Sequence, residues 1–175
     1  MRLFVAIEIP KDIKDKIQRI TEKLKSIEGV KVSSPFAMHL TLLFLGDDKN
    51  KKDTISKLKS VSFKKFKVTI EGTGFFPSEK KINVAWLGIR KTEQLVHLQG
   101  EIARLFLDEK KYKPHLTIAR IRKLIPKDKK KLIEIMGLFR EPMEFTADKF
   151  KLFSSELTPL GPIHEAIETY PATNL

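Results

Sequence analysis

The chain of 175 residues contains no cysteine, which excludes disulfide bonds and thiolate metal sites. Long apolar runs are missing as well, because no uncharged stretch approaches the roughly 18 residues that a membrane-spanning helix needs. The N-terminal segment Met1–Ile7 runs into Glu8 without the cleavage pattern of a signal peptide, and it predicts a first β-strand. We therefore expect a cytoplasmic protein without a membrane partner.

Several well-known catalytic motifs are also absent. No His, Asp or Glu pair has the helical ligand spacing of H-E-x-x-H, and no Gly-rich loop followed by Lys is available to bind a nucleotide phosphate. No Ser lies in a tight Gly-flanked turn of the kind that forms a nucleophile elbow. These absences argue against a metal centre, nucleotide hydrolysis and a serine hydrolase. We expect neither a metal nor a cofactor.

Acidic residues are in the minority. The 22 Asp and Glu residues face 34 Lys and Arg residues, which leaves a net charge of +12. This surplus favours a polyanionic partner, with nucleic acid first, although a solvated Lys-rich surface such as thermophiles carry is the alternative. We expect the two basic runs to be mostly solvated helix faces. They consist of Lys51, Lys52, Lys57, Lys59, Lys64, Lys65 and Lys67, and of Lys127, Lys129, Lys130 and Lys131.

Histidine is scarce, with 4 residues in the chain, yet two of them occur in the same short pattern. The first copy is His39–Leu42 (HLTL) and the second is His115–Ile118 (HLTI). Each copy has the order His, aliphatic, Thr, aliphatic and lies in an apolar run that is typical of a strand. A single copy could arise by chance, but its repetition makes these segments the strongest candidates for a functional site.

Strand geometry predicts how each motif is arranged. Successive side chains point to opposite faces of a strand, so His39 shares a face with Thr41, and His115 shares one with Thr117. The two side chains of a pair are about 7 Å apart, two steps of roughly 3.3 Å, which suits one phosphate or a similar oxyanion. Two imidazoles are also the minimum for paired acid and base catalysis near neutral pH. The residues alone leave open which histidine takes which role.

The other candidates are less specific. His97 falls off the apolar stripe of a predicted helix, so we expect an exposed side chain without a role. His164 follows a turn in a late strand and could line a cleft. In a regular strand Arg120 and Arg122 point away from His115, but a twist at the strand end would let Arg120 donate to a phosphate.

Hydrophobic periodicity and turn residues predict an alternation of strands and helices. Strands are predicted over residues 2–9, 30–33, 38–45, 66–72, 81–89, 115–121, 149–157 and 163–170, and helices over 11–27, 53–61, 93–107 and 126–137. Turns are predicted at 72–74, at 77 and at 158–162.

Part of this order repeats. A strand, an amphipathic helix, a proline and a His strand occur first with Pro35 and again with Pro114, and the two motifs are 76 positions apart. We interpret the repeat as an internal pseudo-duplication within a single domain of residues 1–175. The predicted fold class is α+β and bilobal, with two pseudo-symmetric lobes of mostly antiparallel sheet, flanking helices and a central cleft.

These motifs resemble those of the 2H phosphoesterase superfamily. The similarity is closest to its RNA 2′,3′-cyclic phosphodiesterase branch, also called 2′-5′ RNA ligase, and it covers essentially the whole chain. The stretches that carry it are Arg2–Ile7, His39–Gly46 and Pro114–Arg120, and the later segment Leu157–His164 resembles the C-terminal hairpin of the family.

The resemblance implies a reaction. A strained 2′,3′-cyclic phosphate at an RNA end is opened by water to a 2′-phosphate, without a metal. The resemblance implies His39 as proton donor and His115 as proton acceptor. It also implies phosphate binding by Arg120, while hydrogen bonds from Thr41 and Thr117 would stabilise the non-bridging oxygens. Run backward with an RNA 5′-hydroxyl in place of water, the same site would join RNA ends through a 2′-5′ bond without ATP.

The expected partner is RNA with a 2′,3′-cyclic phosphate end, tRNA halves being one candidate, and we expect a monomer. Two alternatives stay open. One is a non-catalytic basic RNA-binding module whose His–Thr pairs hold a phosphate, and the other is a 2H phosphodiesterase acting on a small cyclic nucleotide. Turnover of a 2′,3′-cyclic nucleotide separates a binding module from an enzyme. Comparison of a mononucleotide with a cyclic-ended oligonucleotide separates the two enzymes.

Overall fold

The computed structural model describes residues 2–47, 50–158 and 161–173. Its strands are β1 (Arg2–Glu8), β2 (Val30–Val32), β3 (His39–Asp47), β4 (Phe66–Pro77), β5 (Ile82–Ile89), β6 (His115–Ile121), β7 (Met143–Ala147), β8 (Lys149–Thr158) and β9 (Gly161–Pro171). Its α-helices are α1 (Lys11–Thr21), α2 (Lys51–Leu58), α3 (Glu93–Leu105) and α4 (Pro126–Met136), and short 3₁₀-helices cover Glu22–Ser26 and Pro35–Ala37.

The strands form two antiparallel sheets, which confirms the predicted α+β fold. The first sheet has the order β3-β1-β8-β9 and the second has the order β2-β6-β5-β4-β7. The two His strands, β3 and β6, belong to different sheets and contact each other where the sheets meet. A hydrogen bond crosses this junction, since the hydroxyl of Tyr112 donates to the carbonyl of Thr41 at 3.3 Å.

The two sheets share a local plan. In the first sheet β1 lies between β3 and β8, and in the second sheet β5 lies between β6 and β4. Thr41 pairs with Ala6, and Thr117 pairs with Trp86 at the matching place. The duplication predicted from the sequence stays a prediction, and this equivalence of strand order and register supports it.

The helices bury the stripes that their periodicity predicts. Ile13 and Ile17 of α1 are buried, as are Leu95, Leu98 and Ile102 of α3. The hydroxyl of Thr92 accepts a hydrogen bond from the backbone N–H of Leu95 at 3.3 Å, which caps the start of α3. None of the helices in the described part of the chain is long and apolar enough to cross a membrane.

The structure differs from the predicted elements most clearly in three places. The helix predicted over 11–27 ends as an α-helix at Thr21 and continues as a 3₁₀-helix, whose tighter turn still buries Leu24. The turn predicted at 72–74 is a bulge inside the long strand β4, because Gly72 adopts a φ of +73° and the register with β5 shifts between Ile70 and Thr73. The sequence analysis also missed β7, a short edge strand of five residues, two of them exposed.

The turn predicted at 158–162 falls partly on residues 159 and 160, which lie outside the described residues. On either side of them, Thr158 and Gly161 pair as the last residues of a hairpin between β8 and β9. This hairpin places His164 opposite Ser155.

Candidate active site

Both motifs have the same burial pattern, which follows from strand alternation. His39 and Thr41 are half-buried, whereas Leu40 between them is buried in the core. His115 and Thr117 repeat the pattern around a buried aliphatic residue. We call the side of each sheet that carries the histidine and threonine the motif face. The structure thus gives each His–Thr pair the shared face that its sequence predicts.

A bulge follows the threonine in each motif. The register shifts between Val5 and Ala6 opposite β3, and between Ala85 and Trp86 opposite β6, so Leu42 and Ile118 are extra residues in their strands. The carbonyl of Leu42 accepts a hydrogen bond from the side chain of Gln99 on α3 at 3.4 Å. The carbonyl of Ile118 accepts one from the backbone N–H of Ser33 at 2.8 Å. The first bulge is therefore supported by a helix outside its sheet, and the second by the residue that follows the neighbouring strand β2.

The bulge brings Arg120 to the motif face. Cross-strand partners point to the same side of a sheet, and Arg120 pairs with Val84, which shares its side with Trp86, the partner of Thr117. The expectation that Arg120 points away from His115 is wrong, because it assumed a regular strand without the extra residue of the bulge.

Arg122 lies beyond the end of β6 and is exposed. By the same register Phe44 occupies in β3 the place that Arg120 has in β6, and it is 70% exposed.

His39 lies on a small apolar cluster that is separate from the main core. The cluster consists of Phe4, Ala6 and Phe153 on the motif face. The ring of Phe4 stacks on His39 with centroids 4.6 Å apart, and Phe153 is nearly parallel at 6.0 Å. Burial lowers the pKa of His39 to about 3, with smaller contributions from the nearby His164 and Lys14. The imidazole is therefore neutral at pH 7 in the free protein.

A second histidine stands beside the first. The ring of His164 is perpendicular to those of His39 and Phe4, with centroid distances of 5.1 Å and 5.0 Å. Its Nδ1 is buried and has no hydrogen-bond partner among the described residues. Burial lowers the pKa of His164 as well. The sequence reading placed His164 near a cleft but did not anticipate its contact with His39, because that contact joins distant parts of the chain.

Charged groups lie near His39. Glu8, the cross-strand partner of His39, forms an ion pair with Lys151 on β8, whose side chain is 19% exposed. Lys14 on α1 lies near both, and burial lowers its pKa. Sequence reasoning missed Lys14 and Lys151. Only the alternation of β8 could have placed Lys151 on the motif face, and nothing local indicates that β8 lies beside β1.

His115 has a different environment. Its Nδ1 lies 2.7 Å from the backbone carbonyl of Lys113, and because a carbonyl can only accept, Nδ1 carries the proton. In the neutral ring Nε2 is then the acceptor. The ring of Phe76 meets His115 edge-on at 5.0 Å, and Trp86 lies at 6.2 Å. The ammonium of Lys113 lies over both aromatic rings, 4.7 Å from the centroid of Phe76 and 5.5 Å from that of Trp86.

Gly74 makes room for the ring of Trp86. A Cβ at this position would lie 2.1 Å from a carbon of the indole, so the close approach requires glycine. The indole Nε1 is buried and lacks a hydrogen-bond partner within residues 2–47, 50–158 and 161–173. Trp86 is therefore held against His115 by packing on the backbone of β4.

The remaining candidates lie apart from the motifs. His97 is exposed on α3, as predicted from its position off the apolar stripe. Most lysines of the two basic runs are exposed, as expected for solvated surfaces. Among the described residues, no group of three or more His, Asp or Glu side chains is close enough to hold a metal ion.

Comparisons with known proteins identify the family of the chain. The family model described as LigT like Phosphoesterase matches the chain twice, at residues 7–86 and 87–164. The RNA 2′,3′-cyclic phosphodiesterase of Thermotoga maritima is 37% identical over 177 residues, which is 95% of this chain and 93% of the relative. The protein of the same name from Methanocaldococcus jannaschii is 35% identical over 177 residues, covering 97% of this chain and 100% of the relative.

Solved structures show the same fold. The protein TT0787 of Thermus thermophilus has a TM-score of 0.80 at 25% identity, covering 98% of this chain and 97% of that one. E. coli LigT complexed with 3′-AMP has a TM-score of 0.79 at 20% identity, with coverage of 99% and 98%. Since the two family-model matches together cover residues 7–164 and relatives above 30% identity span nearly the full length, the chain belongs to the LigT-like family of 2H phosphoesterases.

Proposed function

We propose that the protein hydrolyses RNA 2′,3′-cyclic phosphate ends to 2′-phosphates by metal-independent acid and base catalysis with two histidines. The observation that carries the proposal is the pair of His–Thr motifs with matching register on strands that contact each other. The names of the relatives from Thermotoga maritima and Methanocaldococcus jannaschii support the same reaction.

His115 is the proton acceptor in this scheme. Its Nδ1–H is held by the carbonyl of Lys113, so the neutral ring offers Nε2 as a base. Nε2 takes a proton from water, and the water oxygen forms a bond to phosphorus. The hydrogen bond at Nδ1 also stabilises the imidazolium that results, because it remains a donor to the carbonyl.

His39 is the proton donor. The bond between phosphorus and the ribose 3′ oxygen breaks, and that oxygen takes the proton of His39. In the free protein burial holds the pKa of His39 at about 3, so this ring must acquire its proton together with the substrate. An anionic phosphodiester beside the ring favours the imidazolium and raises the pKa. The substrate therefore supplies the charge that makes the acid.

Phosphate binding belongs to three further residues. Thr41 and Thr117 share the motif face with their histidines, and the bulge in β6 adds Arg120 to that face. The hydroxyls donate hydrogen bonds to the non-bridging oxygens, and the guanidinium neutralises charge that develops at the five-coordinate stage. A strained cyclic phosphate with these donors needs no Lewis acid to open.

The reverse reaction uses the same groups. An RNA 5′-hydroxyl takes the place of water, attacks the cyclic phosphate and forms a 2′-5′ bond, with no need for ATP. The exposed lysines and the net charge of +12 favour RNA as substrate, and tRNA halves are one candidate. We further propose that the protein acts as a monomer in the cytoplasm.

The test compares two substrates under two conditions. A cyclic-ended oligonucleotide and a 2′,3′-cyclic mononucleotide are assayed with EDTA and with added divalent ion. We expect turnover of both to a 2′-phosphate in EDTA, with the higher kcat/KM on the oligonucleotide.

Each alternative result would indicate a different function for this protein. Tight RNA binding without turnover would indicate a binding module, and a preference for the mononucleotide would indicate a small-nucleotide phosphodiesterase. Activity that EDTA abolishes and a divalent ion restores would contradict the metal-independent mechanism.

A further inference from the structure

We infer that His164 is a positioning residue for His39: it holds the His39 ring edge-on, and the two imidazoles together accept one proton rather than two. The inference rests on the proposed function in one respect, because the shared proton matters to turnover only if His39 transfers it.

The contact between His39 and His164 joins the two edge strands of the first sheet. β9 lies at the far edge of the sheet from β3, with β8 and β1 between them. Nevertheless the ring of His164 reaches the motif face and lies 5.1 Å from His39, centroid to centroid, at an angle of 86°. β9 also contacts the 3₁₀-helix Pro35–Ala37, which ends two residues before His39 in the chain. The hairpin thus closes over the apolar cluster on which His39 lies.

The three neighbouring rings constrain His39 from different directions. Phe4 stacks on it, Phe153 is nearly parallel to it, and His164 is perpendicular to it. Phe4 also contacts His164, at an interplanar angle of 78° and with centroids 5.0 Å apart. The ring of Phe4 therefore orients both imidazoles. A His39 ring held this way presents a fixed nitrogen to the substrate.

The same closeness prevents double protonation. Two imidazolium ions at this separation repel each other, and the apolar cluster beneath them supplies little solvation. The buried Nδ1 of His164 has no partner among the described residues, so a second N–H on that ring would be left unsatisfied. Coupled groups of this kind bind protons as a pair.

The surrounding charges act in both directions. Lys14 on α1 adds positive charge near His39, while Glu8 on β1 opposes it and is paired with Lys151 on β8. Lys14 contributes to the lowered pKa of His39, whereas the lowered pKa of His164 is due to burial.

The central experiment replaces His164 with phenylalanine. H164F keeps a ring for the contacts with Phe4 and His39 and removes the second imidazole. The His39 ring is titrated by NMR in the free protein, and kcat is measured against pH. We expect the His39 midpoint in H164F to rise by about half a pH unit or more, and the alkaline limb of the kcat profile to move upward with it.

Two further variants separate position from charge. H164A should give the same upward shift of the midpoint, together with a loss of plateau kcat that H164F restores in large part, because only alanine removes the edge contact. H39Q should leave the midpoint of His164 nearly unchanged, because His39 is still neutral when His164 takes the first proton. H97F is the matched control, because it removes the exposed imidazole of α3 and should move neither midpoint.

The possible results separate the inference from the proposed function. An unchanged His39 midpoint in folded H164F and H164A would overturn the inference even if the enzyme is active. Absence of cyclic phosphodiesterase activity in the wild type would overturn the proposed function, while an upward shift of the His39 midpoint in H164F and H164A would still support the coupled pair. If H164F fails to fold, H164Q replaces it, and the same absence of a midpoint shift counts against the inference.

Discussion

The surroundings of His39 and of His115 differ far more than the two motifs do. The four-residue patterns match, and so do the bulges after them, but the residues at equivalent register on the neighbouring strands are unrelated. In each of the following pairs, the first residue lies in the sheet of His39 and the second occupies the equivalent position in the sheet of His115. The pairs are Glu8 and Gly88, Ala6 and Trp86, Phe4 and Val84, Lys151 and Gly74, and Phe44 and Arg120.

These differences produce two kinds of imidazole. His39 lies on an apolar cluster, and burial holds its pKa at about 3. His115 is bonded through Nδ1 to a backbone carbonyl, which leaves Nε2 as an acceptor. Two copies of one motif can therefore take opposite roles in proton transfer without any change within the motif. The cross-strand partners, and not the motif itself, create the asymmetry.

The largest expected effect is loss of either histidine. H39A and H115A should each lower kcat by about 10²- to 10⁴-fold, the range for one general acid or base. The double variant should lose much less than the product of the two, because the groups act as a unit. Steady-state kinetics on a cyclic-ended oligonucleotide measure this, with H97A as control. Near-wild-type turnover in either single variant would rule out the two-histidine scheme.

A substrate with a better leaving group sharpens the comparison. Nitrophenolate leaves without a proton, so on a nitrophenyl nucleoside phosphodiester that the site accepts, H39A should regain about 10- to 10²-fold of its lost rate. H115A should not recover, because water still has to be activated. Recovery of H115A instead would reverse the two roles. If neither variant recovers, positioning of the phosphate becomes the better explanation for both histidines.

The aromatic support of His115 can be broken without touching the motif. Gly74→Ala places a Cβ against the indole of Trp86, and we expect it to lower the free energy of unfolding by about 1–3 kcal/mol, the range for overpacking, and also to lower kcat. Gly100→Ala is the matched control, because apart from its chain neighbours and the backbone of its own helix no atom lies within 4 Å of the added Cβ, and alanine in a helix should stabilise by about 0.5–1 kcal/mol. Urea unfolding measures the free energy of unfolding of both variants. Equal effects would mean that Trp86 is not held by Gly74.

The burial of His39 predicts a pH dependence of stability. The unfolded ring protonates near pH 6.5, whereas the folded ring protonates at about 3, so the unfolded state binds more protons in between. Stability should therefore fall as the pH falls through this window, and we expect His39 to contribute about 1–2 kcal/mol of that loss between pH 6.5 and 5. The difference between the wild type and H39F in urea midpoint at the two pH values isolates this contribution. Parallel curves for the two proteins would contradict the lowered pKa.

The smallest effect concerns the basic surface, which both motif environments share. KM for a cyclic-ended oligonucleotide should rise with salt, while KM for a cyclic mononucleotide should rise less, because most of the positive charge lies outside the motifs. The logarithm of kcat/KM against the logarithm of salt concentration gives the two slopes. Equal slopes would mean that the exposed lysines do not bind RNA.

Much of the chain was predictable from local pattern. Alternation located β3 and β6 and put each histidine on one face with its threonine, and helical periodicity identified the buried stripe of α3. The 3₁₀ turn after α1 and the continuation of β4 through Gly72 were not predictable in this way. In both places tertiary contacts selected a conformation that the local residues merely permit, as the positive φ of Gly72 illustrates.

Residue order along the chain therefore accounts for the two His–Thr pairs, because a strand repeats every two residues whatever lies beside it. The bulges, the turn of Arg120 to the motif face and the seat of His39 among Phe4, Phe153 and His164 arose only when strands distant in the chain became neighbours. Cross-strand register decides which side chains meet, and no short segment contains that information. The chemical difference between His39 and His115 depends on these cross-strand contacts.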